Sequence, residues 1–243
     1  MDGWGGTAAD QKKARVVYSE PHVSKLLRDW GFSWQKPAFR AYEQSPKAVR
    51  DWLKKNYPEI KQRAAKQHAA LFWLDEAGMR SQHQAGSTYA PIGKTPVLSR
   101  TGKRFSLNII AAISNKGQMV FMVVDGTFNG AVFIHFLQRL LRSVRGKVIL
   151  IADSHPVHMQ RKVKVWIEQH DSRLEVIELP TYSPELNPVE YFNQDLKTNA
   201  VGKARPANKQ ELKIVVEKFA KSKKANSQKV KNYFNHPAVN YAR

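Results

Sequence analysis

From residue 68 onward, continuous apolar runs alternate with stretches in which apolar residues recur every three or four positions. Residues 68–75 (HAALFWLD) and 148–153 (VILIAD) are runs of the first kind, and each ends in a carboxylate. They predict strands buried on both faces. Residues 105–114 and 118–124 are β-rich, and the Asn115-Lys116-Gly117 between them predicts a hairpin. A further strand is predicted over 174–179. Helical spacing marks 129–146, where Val132, Phe133, Phe136, Leu137, Leu140, Leu141 and Val144 share a side. It marks 157–169 through Val163, Trp166 and Ile167. Asn187 opens another helix, with Pro188 at its first position and Val189, Phe192 and Leu196 inward. The order strand, hairpin, helix, strand, helix, strand, helix predicts an α/β fold with a mixed sheet flanked by helices.

The flanks read differently. Ser19 and Pro21 open a short helix through Val23, Leu26, Leu27 and Trp30, ended by Gly31. Its polar side carries His22, Ser24, Lys25 and Arg28, as a DNA-recognition helix would, although any amphipathic surface helix gives the same pattern. Ser45 caps a second helical stretch with Pro46, Val49, Trp52 and Leu53, which Pro58 is expected to break. Basic helical segments follow Gly202 through Lys224. The expected division is a partial helix-turn-helix over 1–36, a helical linker over 37–67, a catalytic core over 68–202 and a basic extension over 203–243.

Charge sharpens this division. The 243 residues carry 40 Lys and Arg against 20 Asp and Glu, a formal net charge of +20. Residues 1–67 hold +7, residues 68–195 hold +3 and residues 196–243 hold +10. A near-balanced middle with basic flanks points to a polyanionic partner, nucleic acid above all; the alternative for the C-terminal run is a solvated lysine face. The chain has no cysteine, which excludes disulfides, cysteine zinc sites and thiol catalysis. No apolar run approaches the roughly 20 residues of a membrane span, and the first residues show no signal-peptide pattern. A cytoplasmic, nucleoid-associated protein is expected.

The candidate chemistry lies in three acids. Asp75 and Asp153 close buried runs, and adjacent strands lie about 4.8 Å apart, so both side chains can face one ion. Glu190 sits in the first turn of the helix after the last strand. Three converging carboxylates are hard oxygen ligands suited to Mg²⁺ or Mn²⁺. Two such ions about 3.5–4 Å apart serve in-line phosphoryl displacement. Each acid also has a structural reading. Asp75 and Asp153 can form turns, and Glu190 stands three residues after Asn187, at capping-box spacing. Glu76 is expected on the opposite strand face from Asp75, Asp125 in a turn, and Asp195 outside the site. His158 either bonds near the carboxylates, contacts phosphate or is a satisfied structural histidine. Arg161, Lys162 and Lys164 are placed to guide DNA. Trp73 and Trp166 read as core.

The blocks FWLDEAGM, LIADSHPVH and LPTYSPELNPVEYFNQDLK resemble the catalytic blocks of DDE transposases of the mariner superfamily, closest to its bacterial insertion-sequence branch (the IS-six-thirty type). HVSKLLRDWGFSWQKP resembles the end of that family's helix-turn-helix domain. The resemblance implies a ribonuclease-H-like core with Asp75, Asp153 and Glu190 as the catalytic, metal-holding triad. It implies that Ser183, Pro184, Asn187 and Pro188 hold the turn presenting Glu190. It implies metal-dependent cleavage at transposon ends, strand transfer by the freed 3′-hydroxyl with a preference for TA, and a homodimer on DNA. Only 18 residues precede Ser19, so a shortened, truncated or frame-split helix-turn-helix is expected.

Overall fold

The computed structural model describes residues 18–34, 41–82, 89–95, 97, 99 and 101–243. The chain forms two compact units, residues 1–41 and 42–243. Within the first, α1 (Glu20–Asp29) has Ser19 at its N-cap in extended conformation, but the serine side chain makes no capping bond. The helix ends as expected. Gly31 takes φ +83°, and this left-handed turn lets Gly31 N–H reach Arg28 O and Phe32 N–H reach Leu27 O, a Schellman closure that favours glycine. No residue of α1 is buried. The start of the expected helix-turn-helix segment, residues 1–17, lies outside the described residues.

The second unit is a five-stranded sheet in the order β3-β2-β1-β4-β5, built from β1 (Ala70–Arg80), β2 (Ser106–Ile113), β3 (Met119–Val124), β4 (Val148–Ala152) and β5 (Leu174–Glu178). β1, β2 and β3 pair antiparallel, while β4 and β5 add in parallel. Side chains alternate between two buried faces, which is why these strands read as continuous apolar runs. Phe72, Leu74, Ile110 and Leu150 face α4 (Gly130–Ser143) and α5 (Arg161–Glu168), meeting Phe133, Phe136, Leu137, Leu140 and Val163. Trp73, Ala77, Met79, Ile109 and Ile149 face the other layer, which includes α6 (Pro188–Asp195) with Val189 and Phe192. The Asn115–Gly117 turn closes the hairpin as expected, with Gly117 at φ +88° and N–H to Ser114 O.

The break expected at Pro58 does not occur. α2 (Pro46–Asp51) runs through a π-helical turn (Trp52–Asn56) into α3 (Tyr57–Lys66). Tyr57 N–H bonds Trp52 O, five residues back. This wider turn directly precedes the proline, whose absent N–H falls in the first turn of α3, where it costs little. Trp52, Tyr57, Ile60 and Ala64 are buried in the same cluster as Trp73. Residues 46–66, within the stretch expected as a linker, are therefore a layer of the second unit; residues 37–40 of that stretch lie outside the described residues.

The basic C-terminal segment also packs inward. α8 (Lys209–Lys224), which follows the short α7 (Gly202–Ala204), buries Leu212, Val216 and Ala220. α9 (Ser227–Lys231) buries Val230, and Phe234 stands edge-on to Trp73 with ring centroids 5.1 Å apart. The segment expected as an extension completes the core, and its lysines are exposed except Lys223, which pairs with Asp195. Among the described residues, no helix is long and apolar enough to cross a membrane.

Candidate active site

β1 does not end at Asp75. Leu74 through Arg80 continue to pair with β2, so Asp75 lies mid-strand opposite Ala111. Pairing with β4, however, stops at Trp73↔Ile151. Continued for two residues, that register sets Asp75 beside Asp153, on the sheet face that packs against α6. Beyond the ladder, side chains take over from backbone bonds. Asn187 Nδ2 donates to Leu74 O at 2.8 Å, and Asn187 Oδ1 accepts the Val189 N–H at 3.1 Å. One residue thus caps α6 and fastens it to β1. Asn193, one turn further along α6, donates from Nδ2 to Asp75 Oδ2 at 2.7 Å. Glu190 lies between these anchors. Asn187 N–H is taken by Pro184 O rather than by the Glu190 carboxylate, so the capping-box reading of Glu190 does not hold.

Asp75, Asp153 and Glu190 line one cleft of about 340 Å³ with Ser183, Pro184 and Asn187. Asp75 is 6% exposed. Burial pushes its carboxyl well above the usual carboxylate range, and the charges of Glu190, Glu76 and Asp153 push the same way. Burial and the Glu76 charge raise Asp153, against the pull of His158 and His155. Burial raises Glu190 too, opposed by Lys197 and assisted by Asp153. Anionic oxygens held together at such cost are the donor set that a hard divalent cation fits.

Glu76 points to the opposite face, as alternation predicts, but it is no bystander. His158 meets it there, with Nε2 2.9 Å from Glu76 Oε1 and Nδ1 3.0 Å from the Asp153 carbonyl. A carbonyl only accepts, so Nδ1 carries a hydrogen, and a second proton is held between Nε2 and Glu76. Burial would lower the His158 pKa; the bond to Glu76, that carboxylate's charge and Asp153 outweigh it and hold the ring above its ordinary value. Phe133 stacks on the imidazole at 4.3 Å. Ligand atoms of Glu76, Asp153 and His158 all lie within 4.8 Å of one another. The helix expected over 157–169 begins only at Arg161, because residues 155–159 turn to bring this ring inward.

The family profile described as DDE superfamily endonuclease matches residues 70–213, more than half of the chain. The chain belongs to this family. A second profile, described as winged helix-turn helix, matches residues 11–56 of this DDE endonuclease. No curated protein matches it. Its fold is similar to solved structures of Mos1. The Mos1 mariner paired-end complex with Mn is 16% identical, with 100% of this chain and 79% of that chain covered and a TM-score of 0.63. For the Mos1 strand transfer complex the values are 17%, 98%, 77% and 0.62. For the catalytic domain of Mos1 mariner transposase they are 14%, 84%, 98% and 0.54.

The remaining candidates in the DDE endonuclease fall into two groups. Arg161, Lys162 and Lys164 are exposed on α5, and Lys164 lines a second cleft of about 210 Å³ that also borders Asp153 and His158. His22, Ser24, Lys25 and Arg28 belong to the first unit. There His22 stacks on Tyr18 at 5.2 Å, and Arg28 bonds the Ser24 carbonyl and hydroxyl. Asp195 is engaged elsewhere, by Lys223 at 2.5 Å, Tyr233 at 2.6 Å and Asn199 at 2.9 Å. Asn193 and Glu76 stand inside the blocks LPTYSPELNPVEYFNQDLK and FWLDEAGM, but sequence reasoning gives Asn193 no role and sets Glu76 aside; what could have marked them is position, Asn193 one helical turn beyond Glu190 and Glu76 next to Asp75.

Proposed function

We propose that this DDE endonuclease is a DNA transposase that cuts at the ends of a mobile element and joins the freed 3′-hydroxyl to target DNA. The observation that carries the reading is the convergence of Asp75, Asp153 and Glu190, from β1, the end of β4 and α6, on one cleft. These three would hold the catalytic metal, Mg²⁺ or Mn²⁺. The chemistry that a divalent ion would supply there is polarisation of the scissile phosphate and a lowered pKa of the attacking hydroxyl. We take the number of ions as two, because both the attacking and the leaving oxygen need stabilising. The chain's own residues do the positioning. Asn193 orients Asp75, Asn187 sets Glu190, and His158 with Glu76 holds the backbone at Asp153. Lys and Arg on α1, α5 and α8 neutralise DNA phosphates. Cutting and joining two ends together favours a homodimer on DNA, acting in the compartment that holds the DNA.

The test is a Mn²⁺-dependent nicking assay on labelled DNA, followed by a joining assay with precut ends. Asp75→Asn and Asp153→Asn should each abolish nicking and leave DNA affinity unchanged; normal nicking by both variants refutes the triad. Nicking without joined products would make the protein a nuclease on the same core. Light scattering of the protein with and without end DNA checks the dimer.

A further inference from the structure

One wall of the cleft is the segment between β5 and α6, and it holds a backbone outlier. Tyr182 takes φ +56°, a conformation that a bulky L residue adopts only when its surroundings impose it. A group from far away in sequence holds the carbonyl of this residue. Gln44 Nε2 lies 2.9 Å from Tyr182 O, 2.7 Å from Glu185 Oε1 and 3.1 Å from Ser183 Oγ. Gln44 is 8% exposed. Its amide nitrogen has two hydrogens, which the carbonyl and the carboxylate take at the shortest distances. Ser183 Oγ directs its own hydrogen to Thr181 O at 3.2 Å. Gln44 is itself fixed, because the next residue, Ser45, caps α2 by accepting the Ala48 N–H.

The anchored wall runs straight into the catalytic helix. Ser183 O accepts Leu186 N–H, Pro184 O accepts Asn187 N–H, and Asn187 then caps α6 three residues before Glu190. Gln44 is the third residue of the second unit, which begins at Tyr42. Within this unit the chain is therefore bonded to the cleft wall before it enters α2.

We propose that Gln44 is a positioning residue for the active site, a clasp that fixes the Tyr182–Glu185 wall and so the placement of Glu190. The inference rests on the triad assignment above. It predicts that the clasp acts on turnover rather than on DNA affinity, since Gln44 is buried behind the wall.

The experiment uses the full chain. Gln44→Met keeps the length of the side chain and removes the donor; Gln44→Lys restores a donor and suits the Glu185 carboxylate. Amide hydrogen exchange should be faster in Gln44→Met over peptides covering residues 181–188 and unchanged elsewhere. Nicking should fall about tenfold in kcat, with KM for DNA and DNA affinity at wild-type values, and Gln44→Lys should recover most of the rate. Unchanged exchange in the wall overturns the proposal. So does wild-type kcat in Gln44→Met, or a loss confined to KM. If wild-type protein does not nick at all, the proposed function fails, and exchange alone decides the clasp: lost protection in the wall supports it, retained protection overturns it.

Discussion

Asp75 carries a stability cost that the proposed metal-holding role would explain. It is buried, bonded on one oxygen by Asn193, and repelled by Glu190, Glu76 and Asp153. Asp75→Asn keeps an oxygen for the Asn193 amide and removes the charge, so the variant should melt above wild type in EDTA while losing nicking. Added Mn²⁺ at neutral pH should raise the melting temperature of wild type and leave that of Asp75→Asn nearly unmoved. The same groups set the pH dependence without metal. Raised carboxyl pKa values mean that the folded protein binds protons more readily than the unfolded chain, so stability grows as pH falls from neutral through those values. His158, also raised, contributes stability that is full below its unfolded pKa of about 6.5 and lost as pH rises through its folded value. Asp195 is the opposite case. Burial alone would raise its pKa, but its bonds to Lys223, Tyr233 and Asn199 lower it, so its contribution disappears only at more acidic pH. Thermal melts in EDTA should therefore show a higher midpoint at about pH 6 than at about pH 8. His158→Ala should slow nicking about tenfold with DNA affinity unchanged; a wild-type rate would mean that β4 alone holds Asp153.

At the scale of elements, α6 depends on one residue that the motif marks only as a cap. Asn187→Ala removes an N-cap worth about 1 kcal/mol and leaves the buried Leu74 carbonyl unsatisfied, at about 1–3 kcal/mol. For a chain of this size each kcal/mol lowers the melting temperature by about 2–4 °C, so calorimetry should show a fall of several degrees together with abolished nicking. Strand and helix identities were legible because their periods differ. Their ends were less so, and the reasons are local. β1 passes Asp75 because β2 keeps pairing with the weakly apolar stretch Glu76–Arg80. α5 starts late because the ring of His158 is drawn to Glu76 and Asp153. Pro58 fails to stop a helix because the π-helical turn before it shifts the hydrogen-bond register.

Across the whole molecule, most of the basic side chains of residues 196–243 are exposed on a segment whose inner face completes the core, while Lys223 pairs with Asp195 and Lys197 acts on Glu190. Deleting residues 203–243 should unfold the protein, seen as loss of a cooperative melt. Replacing the exposed Lys213, Lys218 and Lys224 with Gln should keep the melt and flatten the salt dependence of DNA binding, by about 0.9 log units per decade of salt for each phosphate no longer neutralised. An unchanged slope would mean that this face only solvates. The amino-acid sequence by itself determined the strand and helix order, the three acids and the basic flanks, because periodicity, residue chemistry and charge are properties of neighbouring residues. Only the tertiary structure decided that residues 46–66 and 203–243 belong to the core, and that Gln44, Glu76 and Asn193 bond to groups at or beside the cleft. Those assignments rest on pairs such as Gln44 with Tyr182 or Asn193 with Asp75, formed between residues more than a hundred positions apart, and no local pattern along the chain encodes a meeting at that distance.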